Sequence, residues 1–90
     1  MIKIVKLITG EDVVSDIEIS EDGKSLTMKQ PQRLVMSQEG LASIPLMPFS
    51  EDKKYTISMD HVILFADPDQ DIKNGYNSQF GSGIVLAKNI

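Results

Sequence analysis

His61 is the only histidine in this 90-residue chain, and with Asp60 it separates two strand-like runs, Tyr55 to Met59 and Val62 to Ala66. An imidazole changes charge near neutral pH and can serve as a general base or a metal ligand. Either role needs a second group. The chain has no cysteine and no second histidine, and no serine lies in a recognisable nucleophile setting. His61 therefore reads as a surface or hydrogen-bonded structural residue, and the chain as non-enzymatic, with no catalytic residue, metal site or cofactor implied. Asp67, Asp69 and Asp71 alternate as calcium-binding carboxylates do, but the sixth position of that pattern is Ile72 where glycine is needed, and the twelfth is Ser78 where glutamate is needed. Helix capping is the better account: Asp67 as N-cap, Pro68 at the first helical position and Gln70 completing a capping box. "FGSG" lacks the Gly-Lys-Ser/Thr ending of a phosphate loop and reads as a connector. Lys24, Arg33, Lys53 and Lys54 stand in or beside loops. Each solvates a turn most simply, while together with His61 they would form a local patch for an anionic ligand.

The elements that must hold these groups follow from periodicity and turn chemistry. Alternation of period two dominates, as expected when one face of a strand is buried and the other is wet. "IKIVKL" places Ile2, Ile4 and Leu7 towards a core, and "TGED" turns the chain. Val13, Ser15, Ile17 and Ile19 line one face of the next strand, with Val14, Asp16 and Glu18 on the other. Asp22-Gly23 signals a hairpin with a primed turn. The strand after it carries Leu26 and Met28 and meets Pro31, which cannot donate a ladder hydrogen bond, so the strand bends or bulges there. "LASIPLMPF" is apolar but holds Pro45 and Pro48, which favour an edge strand or an irregular crossing. After Ala66 the period changes: Ile72, Tyr76 and Phe80 recur every four residues, predicting a helical stripe that stops at Gly81, with a turn at Asn74-Gly75 as the alternative. The run "IVLA" (84–87) would add a further strand.

Ninety residues make a single domain near the lower limit for a self-sufficient core, so oligomerisation is expected. The absence of cysteine favours an intracellular setting, and no apolar run approaches the roughly 20 residues that span a bilayer. Nine basic against thirteen acidic residues give a net charge of −4, without the cationic excess of proteins that grip nucleic acid through phosphates. Asp60-His61 contains no glycine, so a two-residue hairpin is disfavoured and the strands on either side should diverge.

The order of strand, strand, Asp-Gly turn, bent strand, variable segment, strand, two-residue break and strand resembles the Sm-like family of small RNA-associated barrels. In "VKLITGEDVVSDI", Leu7, Gly10, Val13 and Ile17 fall where the first family motif has its leucine, glycine and hydrophobic positions, and Ser15 stands where a second glycine is usual. "SMDHVILFADP" is similar to the Tyr-Lys-His segment of the bacterial Hfq branch, with His61 on its histidine and Met59-Asp60 in place of Tyr-Lys. Residues 47–84 look like the C-terminal half of small Sm-like proteins of cyanophage type. The resemblance implies a mostly β fold: a strongly bent, five-stranded, SH3-like barrel over residues 1–66, with a short C-terminal helix and an extra terminal strand over 67–90 on the same domain.

It further implies a homo-oligomeric ring of roughly five to seven copies, closed by head-to-tail pairing of open strand edges. Such a ring would act in RNA metabolism or regulation in the cytoplasm, that of the bacterial host for a phage protein, with no membrane partner. Family position points to Lys24, Ser25 and His61 as contacts for single-stranded, uridine-rich RNA. An acidic scaffold ring that binds proteins and not RNA is the alternative.

Overall fold

The alternating runs do form strands. A computed structural model describes residues 1–81. It contains β1 (Ile2–Leu7), β2 (Asp12–Ile19), β3 (Ser25–Ser37), β4 (Gly40–Pro45), β5 (Lys54–Ser58) and β6 (Val62–Ala66), then one helix, α1 (Gln70–Phe80). A 3-10 turn, Met59–His61, joins β5 to β6. One antiparallel sheet runs in the order β4-β3-β2-β1-β6, and β5 pairs with β3 alongside the first half of that strand. The chain is thus mostly β with a C-terminal helix. It has six strands where five were expected, because residues 40–45 pair regularly with β3, from Ser37↔Gly40 to Gln32↔Pro45. Pro45 occupies the last rung and Pro48 lies beyond it, so neither removes an interior ladder donor. β5 and β6 share no ladder among the described residues, and the sheet stays open. The expected strand at 84–87 lies outside those residues.

Val5, Val13, Ile17, Leu26 and Met28 form the core, with Leu7, Ile57, Val62 and Phe65 packed around them. In β1 the inward row is buried Val5 and half-buried Leu7, which packs on the core as expected, whereas Ile2 and Ile4 lie half-buried on the other row. This corrects the expected placing of Ile2 and Ile4. Each of its two rows contains two aliphatics and one lysine, Ile2-Ile4-Lys6 and Lys3-Val5-Leu7, so alternation alone could not choose between them. β2 departs from the expected half-buried strand as well: Val13, Val14 and Ser15 are all buried in succession, because α1 covers the face that carries Val14. The β2–β3 connection is a hairpin, but only Gly23 in it has a positive φ (73°), which excludes a primed two-residue turn. Five residues, Ser20 to Lys24, make the loop, and Asp22 holds it by accepting from the Ser20 hydroxyl (2.6 Å) and the Lys24 N–H (3.0 Å).

Pro31 has the expected consequence. The β2–β3 register slips between Val14 and Asp16, opposite Gln30, whose φ of 47° is the one positive value at a described non-glycine residue. Such a bulge bends and twists a strand and leaves backbone groups to be satisfied elsewhere. The Gln30 N–H donates to the Lys53 carbonyl (2.6 Å), and the Pro31 carbonyl accepts from the Leu46 N–H (3.0 Å). Buried Ser15 donates its hydroxyl to the Lys29 carbonyl at 2.7 Å. From α1, the Tyr76 hydroxyl donates to the same carbonyl at 2.6 Å and accepts from the Asp16 N–H at 3.2 Å.

Tyr76 is the residue of α1 that is fully buried, and Phe80 lies against it with ring centroids 5.1 Å apart. Gly75 is helical, so the turn at Asn74-Gly75 does not form. The expected N-cap is displaced by two residues. Asp69, in extended conformation, caps the helix by accepting from the Ile72 N–H at 2.9 Å, whereas Asp67 pairs with Lys3 on β1. The Lys3 ammonium holds the Asp67 carboxyl below the usual carboxylate range. Gly81 ends the helix as expected, and a Cβ there would run into the Asn77 carbonyl oxygen.

Burial raises the Tyr76 phenol above its ordinary pKa, although the Asp16 N–H opposes the shift. With the folded value above the unfolded one, the contribution is complete below about pH 10 and is lost as pH rises through the folded pKa. Tyr76→Phe should cost about 1–2 kcal/mol in urea unfolding at neutral pH, by leaving the Asp16 N–H and part of the Lys29 carbonyl unpaired. The variant should also lose stability less steeply than the parent above pH 10.

Candidate nucleic-acid interface

The Asp60-His61 break is a 3-10 turn built on a serine. Ser58, extended at φ −70° and ψ 140°, accepts the Asp60 N–H on its hydroxyl at 3.2 Å, and the Val62 N–H closes the turn on the Met59 carbonyl. β5 then lies on β3 and β6 lies on β1, so the two strands diverge to opposite sides of the sheet, as the missing glycine suggested.

Backbone bonds pin both ends of the turn. The Met59 N–H donates to the Lys24 carbonyl and the Ile8 N–H donates to the His61 carbonyl, each at 2.9 Å. Lys24 belongs to the β2–β3 loop and Ile8 to the β1–β2 turn, which lie at opposite ends of β2. Laid straight, the eight residues of β2 would hold those ends roughly 23 Å apart. Three residues of 3-10 helix rise only about 6 Å. The two can meet on one turn only because β2 and β3 are strongly curved.

This curvature gathers the three residues picked from the sequence. Ser25 faces Ser58 across the β3–β5 ladder, Lys24 precedes it on the rung that binds Met59, and His61 ends the turn. Lys24 and His61 are exposed and Ser25 is half-buried. Among the described residues the imidazole makes no hydrogen bond. Asp60 and Asp22 stand beside them, and the Ser20 hydroxyl, followed by the Lys24 N–H, holds the Asp22 carboxyl below the usual range. The site therefore carries both signs of charge and can offer hydrogen-bond donors, acceptors and one π face.

The wider basic patch is not assembled. Lys54 pairs in register with Lys29, four rungs of the β3–β5 ladder from Ser25, and the Lys29 ammonium is 3.1 Å from Glu18. Arg33 lies opposite Val13 and Ile44, on the far half of β3. Two contributors were not singled out in the sequence: Ser58, which caps the turn, and Ile8, which anchors it and is 56 % exposed. A serine two residues before an aspartate carried a detectable capping signal, whereas the Ile8 contact depends on tertiary curvature.

Among the described residues, no group of three or more His, Cys, Asp or Glu side chains is placed to hold a metal ion, and no helix is long and apolar enough to cross a membrane. No protein-family model matches the chain, and no curated protein matches it.

Ser58→Ala should cost about 1 kcal/mol through the lost cap. His61→Ala should stay within about 0.5 kcal/mol of the parent, as an exposed side chain without a partner does. Chemical denaturation of the two variants measures both, and equal losses would contradict the division between scaffold and exposed surface.

Proposed function

We propose that this chain is a subunit of an Sm-like ring that binds short single-stranded RNA, each copy presenting Lys24, Ser25 and His61. The observation that carries the reading is the divergence of β5 and β6 at the 3-10 turn: with no ladder between them, β5 and β6, like β4, have one partner strand each among the described residues. Exposed aliphatics stand on two of these edge strands, Leu41 and Ile44 on β4 and Ile63 and Leu64 on β6. Open edges of this kind invite pairing with another chain, and pairing β6 of one copy with β4 of the next repeats head to tail until the rotation closes. In this reading the bent sheet is a barrel whose last contacts are made between copies.

The RNA contact rests on the three gathered side chains. With −4 per chain, phosphate attraction is not the driving term. Hydrogen bonds to bases and sugar, and stacking on imidazole, are what the site offers, and these suit unpaired RNA. The acidic neighbours Asp22 and Asp60 favour a second reading, in which the same ring is a protein scaffold without RNA.

Native mass spectrometry with and without oligo-U separates the readings, since it reports copy number and occupancy together. The RNA reading expects oligo-U on an intact ring, a slope of log K against log salt of about −0.7 for each copy that contributes a phosphate contact, and weaker binding after Lys24→Ala or His61→Ala. No binding at low salt by an intact ring would leave the scaffold. Ile63→Lys with Leu64→Lys should convert the ring to monomers in sedimentation velocity, because lysines on an edge strand oppose its pairing. A parent chain that sediments as a stable monomer would remove both readings.

A further inference from the structure

β3, β5 and α1 border a cleft of about 420 Å³ that is lined by Lys29, Lys53 and Lys54. Lys54 stands four rungs, roughly 14 Å, from Ser25, so the cleft is a separate place from the 3-10 turn. Its size falls within the about 300–1,000 Å³ of small-ligand sites. On the β3–β5 ladder Lys29 and Lys54 are direct partners, and on the β2–β3 ladder Lys29 faces Asp16, so one row of the sheet carries Asp16, Lys29 and Lys54 on a single face. Like charges placed directly opposite destabilise a sheet. The carboxylates nearby are already engaged: Asp16 pairs with the Met1 amino group, and Glu18 with the Lys29 ammonium at 3.1 Å. Glu18 also holds Lys29 above its ordinary pKa, so loss of a proton does not relieve the repulsion. Among the described residues Lys53 and Lys54 have no ion pair, and Glu51 and Asp52 line the adjoining cleft instead. Three ammoniums and one carboxylate thus share a cleft in a chain of net charge −4.

The geometry points to a binding site for a small oligophosphate, with linked phosphates bridging Lys29, Lys53 and Lys54. An anion there replaces the repulsion along the Lys29–Lys54 rung by attraction to a charge that both share. One phosphate between the two facing lysines leaves Lys53, immediately before β5, for the next phosphate. A lysine ammonium is a compact charge with three rotatable donors, which suits phosphate oxygens without demanding one angle. Gln30 adds an amide to the lining, and Tyr76 and Phe80 of α1 supply an aromatic wall. Like-signed charges beside a low-dielectric wall focus the field and concentrate an anion locally, despite the net charge of the chain. The site goes beyond the RNA reading and does not rest on it.

The test is titration of the 15N-labelled full chain with inorganic triphosphate at low salt, free of divalent cations. The expected result is saturable movement of the Lys29, Gln30, Lys53 and Lys54 amide signals that weakens as salt rises, and a urea midpoint that climbs with triphosphate. Lys54→Glu turns the repulsive rung into an opposite-charge pair with Lys29, so the variant should be at least as stable as the parent while its affinity falls about tenfold or more. Arg33→Ala, a cation removed from the far half of β3, should leave the titration unchanged. Adenosine triphosphate separates two sources of the same phosphates: tighter binding than inorganic triphosphate gives the nucleoside a place against Phe80, and equal binding confines recognition to the phosphate chain. Four results would overturn the proposal: equal movement with sulfate at matched ionic strength, which marks an adventitious ion only; unchanged affinity in Lys54→Glu; a Lys54→Glu chain less stable than the parent; or an equal loss of binding in Arg33→Ala. None of these measurements uses oligo-U or counts copies, so this site and the RNA reading fail separately.

Discussion

The Tyr76 hydroxyl bonded into the break of the β2–β3 ladder is the interaction on which the rest of the structure depends. A proline in the longest strand removes a donor, and Gln30 before it adopts a left-handed conformation that a non-glycine residue enters only at a cost. A ladder broken in this way exposes backbone groups in the interior of the sheet, where an unmade hydrogen bond costs about 1–3 kcal/mol. Tyr76 reaches two of them from outside the sheet and Ser15 reaches one of them from within it. One phenol thus does three things at once. It satisfies the bulge, fixes α1 on the sheet, and buries the Val14 face that would otherwise be wet.

The bend so stabilised decides where the turns lie. With β2 and β3 curved, the β1–β2 turn and the β2–β3 loop come close enough for one short 3-10 turn to bond to both. A flatter sheet would place Lys24 and His61 on opposite margins. The candidate interface is therefore a consequence of strand curvature, and the residues that make it, Ser58 by capping and Ile8 by anchoring, are distinct from the residues that a ligand would touch. The same divergence that creates the turn leaves β5 and β6 with one partner strand each among the described residues. Interface and open edges have one origin.

Much of this was legible from local chemistry. Proline in a strand, aspartate and glycine in a loop, a missing glycine at Asp60-His61 and a four-residue stripe in α1 each act within a few residues, and each produced the bulge, hairpin, divergence or helix expected of it. What was not legible depended on partners far away in the chain. The two rows of β1 are equally apolar, so only packing against β2 and β6 could select Val5. Asp67 and Asp69 are both sound caps, and the choice fell to Asp69 because Lys3, more than sixty residues earlier, takes Asp67. The primed turn failed because Asp22 found side-chain and backbone donors in its own loop. Lys53 and Lys54 seemed to belong with Lys24 by loop position, but ladder register sets Lys54 opposite Lys29, and the Lys53 carbonyl accepts from the Gln30 N–H at the bulge.

The size of the site sets a condition on any role it has. Among the residues at the turn the imidazole of His61 is the only π face, and one ammonium, that of Lys24, stands against two carboxylates. Stacking of one base contributes about 1–3 kcal/mol, and a screened ion pair at an exposed surface rarely adds more than about 1 kcal/mol. A single copy then falls short of the roughly 8 kcal/mol that micromolar affinity requires. Repetition supplies the difference, because once one base is held the next site acts at high effective concentration. An interface this sparse is useful only when several copies are fixed at regular spacing, and the unpaired margins of β4 and β6 are the features of the fold through which such spacing can be imposed. In the proposed reading, strand pairing between copies is therefore a precondition of micromolar binding, because one copy alone does not supply enough contacts for it.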